Sequence, residues 1–299
     1  MLETIIGTLR MKNPLILASG VLDESGDTMI RVARAGAGAI VTKSVGLEER
    51  VGYPNPVVYE LPSGCLLNAI GLANPGIEHY RDEMVRAIKS KVPIIGSIFG
   101  STPEEFALLA TKMEEMGAMA VELNLSCPHA KGYGMEVGTD SELVEEIISE
   151  IKNKVHIPVW AKLTPNTHSL LDIAKSAEKA DAIVLINTVR GMAIDINARM
   201  PVLSNAVGGL SGPCIKPIGV RAVYEVYSEI EKPIIGVGGI TTGEDVIEYM
   251  MAGAKAVQIG TAVYLRGIDV FKKISNEIEN WLVNNGYESI GEIVGMAHR

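Results

Sequence analysis

From about residue 15 to residue 260, short apolar runs alternate with longer segments whose apolar residues recur every three or four positions. Runs rich in β-branched residues predict strands, and the 3.6-residue period predicts helices. The strands fall at 15–19, 39–43, 93–99, 120–125, 158–163, 182–187, 233–238 and 256–260. Several are apolar throughout, as strands covered on both faces must be. Between them, Phe106, Leu109, Ala110 and Met113 form one stripe behind a start signal at Thr102-Pro103-Glu104-Glu105, and Gly117 ends it. The stripe recurs in Val144, Ile147, Ile148 and Ile151 after Thr139-Asp140-Ser141-Glu142, and in Val246, Tyr249 and Met250 before Gly253. Strand and helix alternating eight times predict an α/β fold with a parallel sheet closed into a (β/α)8 TIM barrel, 1–299 forming one domain. An open doubly wound sheet is the competing architecture.

Three stretches exceed the bare barrel. Residues 1–13, with Gly7 between two short runs, predict a hairpin that caps the barrel's amino-terminal end. Residues 46–67, rich in Pro and Gly, and 189–211 are long for connections between a strand and its helix. Loops after the strands lie over a barrel's pocket, so both insertions are expected to shape a substrate site.

Composition narrows the classes of partner. The 299 residues are 47% apolar and 21% charged, and no apolar run approaches the length of a membrane span. Residues 1–11 lack the pattern of an export signal, so the expected location is the cytoplasm, away from the membrane. With 27 basic against 36 acidic residues, a net charge of −9 and no basic block, a nucleic-acid partner is not expected. Cys65, Cys127 and Cys214 are odd in number and widely spaced, which argues against a disulfide framework and against a Cys-x-x-Cys cluster site. The five histidines show no ligand spacing, so no metal is inferred.

Chemistry collects at the predicted strand ends: Ser19, Lys43 with Ser44, Asn124 with Cys127, Lys162, and Asn187 with Thr188. A lysine at a barrel mouth either reaches solvent or meets an anion or electron-rich acceptor, and two lysines among amides favour the second. Asn68 is expected just before a helix starting near Pro75; a turn or cap is its plain role, and convergence with Asn124 and Asn187 on a planar ligand its functional one. Cys127 is the sharpest candidate, since a thiol with an ordinary pKa of about 8.5 becomes a proton acceptor once its thiolate is modestly favoured. Gly132, Gly134 and Gly138 follow it and predict a loop able to close over a pocket. The glycines at 236, 238 and 239, the capping pair Thr241-Thr242 and the pair Gly260-Thr261 suggest a phosphate held after the last two strands. Thr241 stands where a dinucleotide fingerprint needs glycine.

These motifs together resemble the class 1 dihydroorotate dehydrogenases, type B most closely. The stretches are Ala18-Ser19-Gly20, Thr42-Lys43-Ser44, 67–76, Asn124-Leu125-Ser126-Cys127-Pro128, Lys162-Leu163-Thr164-Pro165, Ile186-Asn187-Thr188, 208–213 and Gly236-Val237-Gly238-Gly239. The resemblance implies an FMN-containing barrel that oxidises dihydroorotate to orotate in pyrimidine synthesis. It implies Cys127 as the base taking a proton from C5 while hydride leaves C6 for flavin N5. Lys43, Asn68, Asn124, Asn187 and Thr188 would clamp the substrate, with Ala69, Ile70, Gly71 and Leu72 beside them. Ser19, Lys43, Ser44, Asn124, Lys162 and Ile186 would contact the flavin, and Gly212, Gly238, Gly239, Gly260 and Thr261 its tail and phosphate. Lys162 would lie near the N1 and O2 edge.

Type B relatives pass electrons to NAD through a second subunit carrying FAD and a two-iron cluster, in a heterotetramer around a homodimer. The same partner is therefore expected here. Two positions depart from the family pattern: His129 and Ser97 stand where asparagines are common. A flavin-dependent tRNA dihydrouridine synthase and a non-catalytic barrel subunit are the competing functions.

Overall fold

The computed structural model describes residues 1–125 and 137–298. Eight parallel strands close into a barrel: β1 (Leu15–Leu17), β2 (Ala39–Val41), β3 (Ile94–Ile98), β4 (Ala120–Asn124), β5 (Val159–Leu163), β6 (Ala182–Leu185), β7 (Ile234–Val237) and β8 (Ala254–Ile259). Each strand pairs with its neighbours in sequence, and β8 closes on β1. The closed barrel settles the choice against an open sheet.

Helices cover the outside: α1 (Gly26–Arg34), α2 (Ile77–Ala87), α3 (Pro103–Glu115), α4 (Ser141–Lys152), α5 (Leu170–Ser176), α6 (Lys216–Tyr227), α7 (Gly243–Met251), α8 (Thr261–Arg266) and α9 (Val270–Asn285). The apolar stripes expected on α3, α4 and α7 are buried against the strands. Thr102 caps α3 through the amide of Glu105, with Pro103 in the first turn. The cap of α4 is one residue later than expected, because the Asp140 carboxylate reaches the amides of both Glu142 and Leu143.

The first 13 residues form the expected hairpin, Thr4–Ile6 against Leu9–Met11. Ile6, Leu9 and Met11 are buried with Ile16, Val41, Ile95, Ala120, Trp160, Val184, Ile235 and Ala256, an apolar layer contributed by all eight strands. The hairpin thus closes one end of the barrel. Side chains repeat on one face every second residue, so the next inward positions on β4, β5 and β8 are Glu122, Lys162 and Gln258, all buried.

The two long insertions form one structure. Val58–Glu60 and Leu66–Asn68, after β2, join Val189–Met192 and Val207–Ser211, after β6, in a four-stranded antiparallel sheet. Asn68 is therefore the last residue of a strand, and its expected place just before a helix is corrected: α2 begins nine positions later at Ile77. Next to the Leu66↔Ser211 pairing, Cys65 and Cys214 are joined in a disulfide across 149 positions. The bridge corrects the expectation drawn against disulfides from the odd number and wide spacing of the cysteines, because sheet pairing brings the two loops together.

Candidate active site

At the barrel end opposite the hairpin lies a cavity of about 300 Å³. All the strands except β5 stop one or two residues short of the predicted ends, and Ser19, Lys43, Ser44, Asn187 and Thr188 sit in the loops that follow. After β2 the ladder is interrupted, since the Lys43 amide donates to the Asp23 carbonyl, whereas after β6 the Asn187 amide still donates to the Leu163 carbonyl of β5. Asn124 ends β4, and Lys162 lies within β5 and points inward.

Ser44 is the hub of the mouth. Its hydroxyl lies 2.8 Å from that of Ser97 and 3.2 Å from that of Ser19, and it accepts from the Asn124 amide at 3.1 Å. The Asn187 amide in turn donates to the Asn124 carbonyl oxygen at 3.3 Å, and Asn187 accepts from the Thr188 amide at 2.7 Å. Loops after β1, β2 and β6 are thereby tied to β3 and β4. Ser97 is fully buried and does not line the cavity, so at this position the side chain braces Ser44.

Asn68 enters from the inserted sheet, its amide donating to the Gly209 carbonyl at 3.2 Å. Ile70, Gly71 and Leu72 also line the cavity, whereas Ala69 is turned away into a small core with Leu67 and Leu203. Lys43 lies 3.4 Å from Glu24, a pair whose carboxylate is 79% exposed. Such a pair is weak, which leaves the ammonium a useful partner for an anion. Behind it, burial raises the Asp23 carboxyl above the ordinary carboxylate range in spite of Lys43, while its oxygen accepts from the Gly20 amide and from Ser19.

Gly212, Gly238, Gly239, Gly260 and Thr261 all line the same cavity. The glycines are there for different reasons. Gly239 has a φ of +73° and a Cβ there would meet Lys216 at 2.7 Å, so its own fold demands glycine. Gly260 has no such constraint: a Cβ would make only an ordinary contact with Ala18 at 3.6 Å, and the missing side chain leaves room in the cavity. On the α7 side, Asp245 already takes the amides of Thr241 and Thr242, so those donors serve the helix cap. Tyr249 holds the Gly238 carbonyl from below at 2.7 Å.

The structure thus gathers every site residue that the resemblance implies except two, Ala69, which faces elsewhere, and Cys127, which with His129 lies outside the described residues; Gly236 and Thr242, suggested for the phosphate, do not line the cavity. Sequence reading missed Glu122 and Gln258, which line the floor of the cavity beside Lys162. The available signal was parity, since each stands two positions beyond an inward-facing alanine, Ala120 or Ala256.

Comparison with known proteins comes to the same place. The family model described as dihydroorotate dehydrogenase matches residues 1–282. The dihydroorotate dehydrogenase B (NAD(+)) catalytic subunit of Thermoplasma acidophilum is 57% identical over 100% of this chain and 99% of its own. The subunits so named from Pyrococcus abyssi and Methanocaldococcus jannaschii are 53% and 50% identical, covering 99% and 100% of this chain and 99% and 98% of theirs.

Proposed function

Because the chain belongs to the dihydroorotate dehydrogenase family, we propose that it oxidises dihydroorotate to orotate in pyrimidine synthesis. The observation that carries the reading is the meeting of Asn68, Asn124, Asn187 and Lys43 from four separate segments at one cavity mouth. Amides offer donors and acceptors in one plane to the ring of a dihydropyrimidine, and Lys43 offers charge to its carboxylate. Thr188 and the segment of Ile70, Gly71 and Leu72 complete that clamp.

The same cavity suits FMN. Its lining combines apolar walls with Ser19, Ser44, Asn124, Lys162 and Ile186 around a ring, and Gly212, Gly238, Gly239, Gly260 and Thr261 around a tail. When bound, FMN supplies the two-electron acceptor that the reaction needs. Lys162 places positive charge at the cavity floor, where it favours the reduced, anionic form. Cys127, three positions after the cavity-lining Asn124, is the base for the C5 proton. Its thiolate must be favoured near neutral pH for that role.

The relatives are named NAD(+) enzymes and catalytic subunits. By that likeness, electrons pass on to NAD through a partner subunit carrying FAD and a two-iron cluster, in a heterotetramer built on a homodimer of this chain. Among the described residues no helix is long and apolar enough to cross a membrane, and a cytoplasmic place is part of the same reading.

The test is anaerobic. Dihydroorotate is expected to bleach the flavin absorbance of the purified protein, and Cys127→Ser to keep its flavin while losing most of that bleaching near neutral pH. Equal bleaching in the two proteins rejects Cys127 as the base, and a wild-type flavoprotein that dihydroorotate leaves yellow rejects the substrate.

A further inference from the structure

Beneath the mouth, the barrel's second inward layer holds a closed polar triad that packing does not require. Lys162 Nζ donates to Glu122 Oε1 at 3.2 Å and to Gln258 Oε1 at 3.1 Å, and the Gln258 amide donates to Glu122 Oε2. Glu122 is 0% exposed, Gln258 1% and Lys162 5%, yet all three line the cavity. Their strands, β4, β5 and β8, carry apolar residues at the preceding inward positions, and an apolar triad here would serve stability as well or better.

The hydrogen bonds pair opposite charges. Gln258 gives its NH2 to Glu122 and takes a bond from Lys162 on its oxygen, the arrangement that suits a carboxylate acceptor beside an ammonium donor. Two of the three ammonium protons are then used, and one remains for whatever fills the cavity. Among the described residues the only other charged side chain lining the cavity is Lys43, at the rim. No other carboxylate there compensates Lys162.

We infer that Glu122 and Gln258 are positioning residues that compensate the Lys162 ammonium and aim it into the cavity, and thereby set the reduction potential of the bound flavin. The inference rests on the FMN reading above. Without Glu122, the buried ammonium loses its compensating charge and one of its acceptors. Without Gln258, the ammonium keeps its charge and loses one of the two acceptors that fix its direction.

The experiment measures the midpoint potential of bound FMN at several pH values around neutrality. Wild type is compared with Glu122→Gln and Gln258→Leu, each also in a Lys162→Met background. Glu122→Gln is expected to raise the potential above that of wild type, because the ammonium is then uncompensated. Gln258→Leu is expected to displace the potential by less, because the charge stays compensated and only its direction is loosened. In the Lys162→Met background both effects are expected to vanish, which loosened packing does not do. Superimposable wild-type and Glu122→Gln profiles, or effects that persist without Lys162, overturn the inference. Should Glu122→Gln fail to fold, the cycle of Gln258→Leu with Lys162→Met decides alone. A wild type that takes up no FMN overturns this inference and the FMN reading together, whereas bound FMN with unaltered profiles overturns this inference only.

Discussion

Single hydroxyl and carboxyl groups set the geometry of the mouth. Ser44 serves Ser19, Ser97 and Asn124 at once, and Ser97 is buried where water cannot replace the lost partner. Ser44→Ala is therefore expected to cost about 1–3 kcal/mol in urea unfolding. It should also raise KM for dihydroorotate, because Asn124 loses the acceptor that aims it. An unchanged midpoint and KM together would discard the hub role. Asp23 carries a pH signature of opposite sense to most carboxylates. Burial raises its pKa in the fold, so the folded state holds the proton longer than the unfolded chain. Its contribution is neutral at low pH and turns against folding as pH rises past the ordinary carboxylate value near 4. Asp23→Asn, which keeps an acceptor for the Gly20 amide, should remove that decline from a plot of stability against pH. A decline of equal size in the variant would assign it to other groups.

At the scale of elements, most of the framework could be read from the chain, and the errors have local causes. The eight strands stand out because both faces are buried, so apolar runs are nearly unbroken. Most ends fall one or two residues earlier than the runs suggest, because polar mouth residues such as Lys43 follow the apolar run directly while the Lys43 amide turns to the Asp23 carbonyl. Start signals worked where one side chain competes alone, as at Thr102. At 139–142 two acceptors compete, and the longer reach of Asp140 to two amides decides the cap. In α7 the Thr242 hydroxyl and the Asp245 carboxylate cap one another's amides in a full box. Burial opposes the charge of Asp245, yet Lys216 and the amides of Thr241 and Thr242 hold its pKa below the ordinary range. That stabilisation is present above the unfolded pKa near 4 and is lost as pH falls through the lower folded value. Asp245→Ala should cost about 1–2 kcal/mol at neutral pH and flatten the acid limb of the stability curve. An acid limb as steep as that of wild type would place the titration elsewhere.

For the whole molecule, the decisive fact was invisible in the sequence: the two insertions, more than a hundred residues apart, pair as one sheet over the pocket. Pairing across such a distance is set by where the barrel delivers the loops after β2 and β6, and composition carries no trace of it. The disulfide follows from that pairing, since Leu66 lies opposite Ser211 and the cysteines flank them. A bridge between residues 149 positions apart restricts a long loop of the unfolded chain, which is where such a cross-link stabilises most. It also fixes the segment of Gly212, which lines the cavity, to the turn before Leu66. Cutting it should lower stability by roughly 2–4 kcal/mol. For a chain of this size that is a fall in Tm on the order of 3–6 °C. Thermal unfolding of FMN-loaded protein with and without a dithiol reductant measures the effect, and Cys214→Ser should reproduce the lower Tm and make it indifferent to reductant. If wild type and Cys214→Ser melt together under oxidising conditions, the inserted sheet is held by its ladder and by the core of Leu67, Ala69 and Leu203 alone.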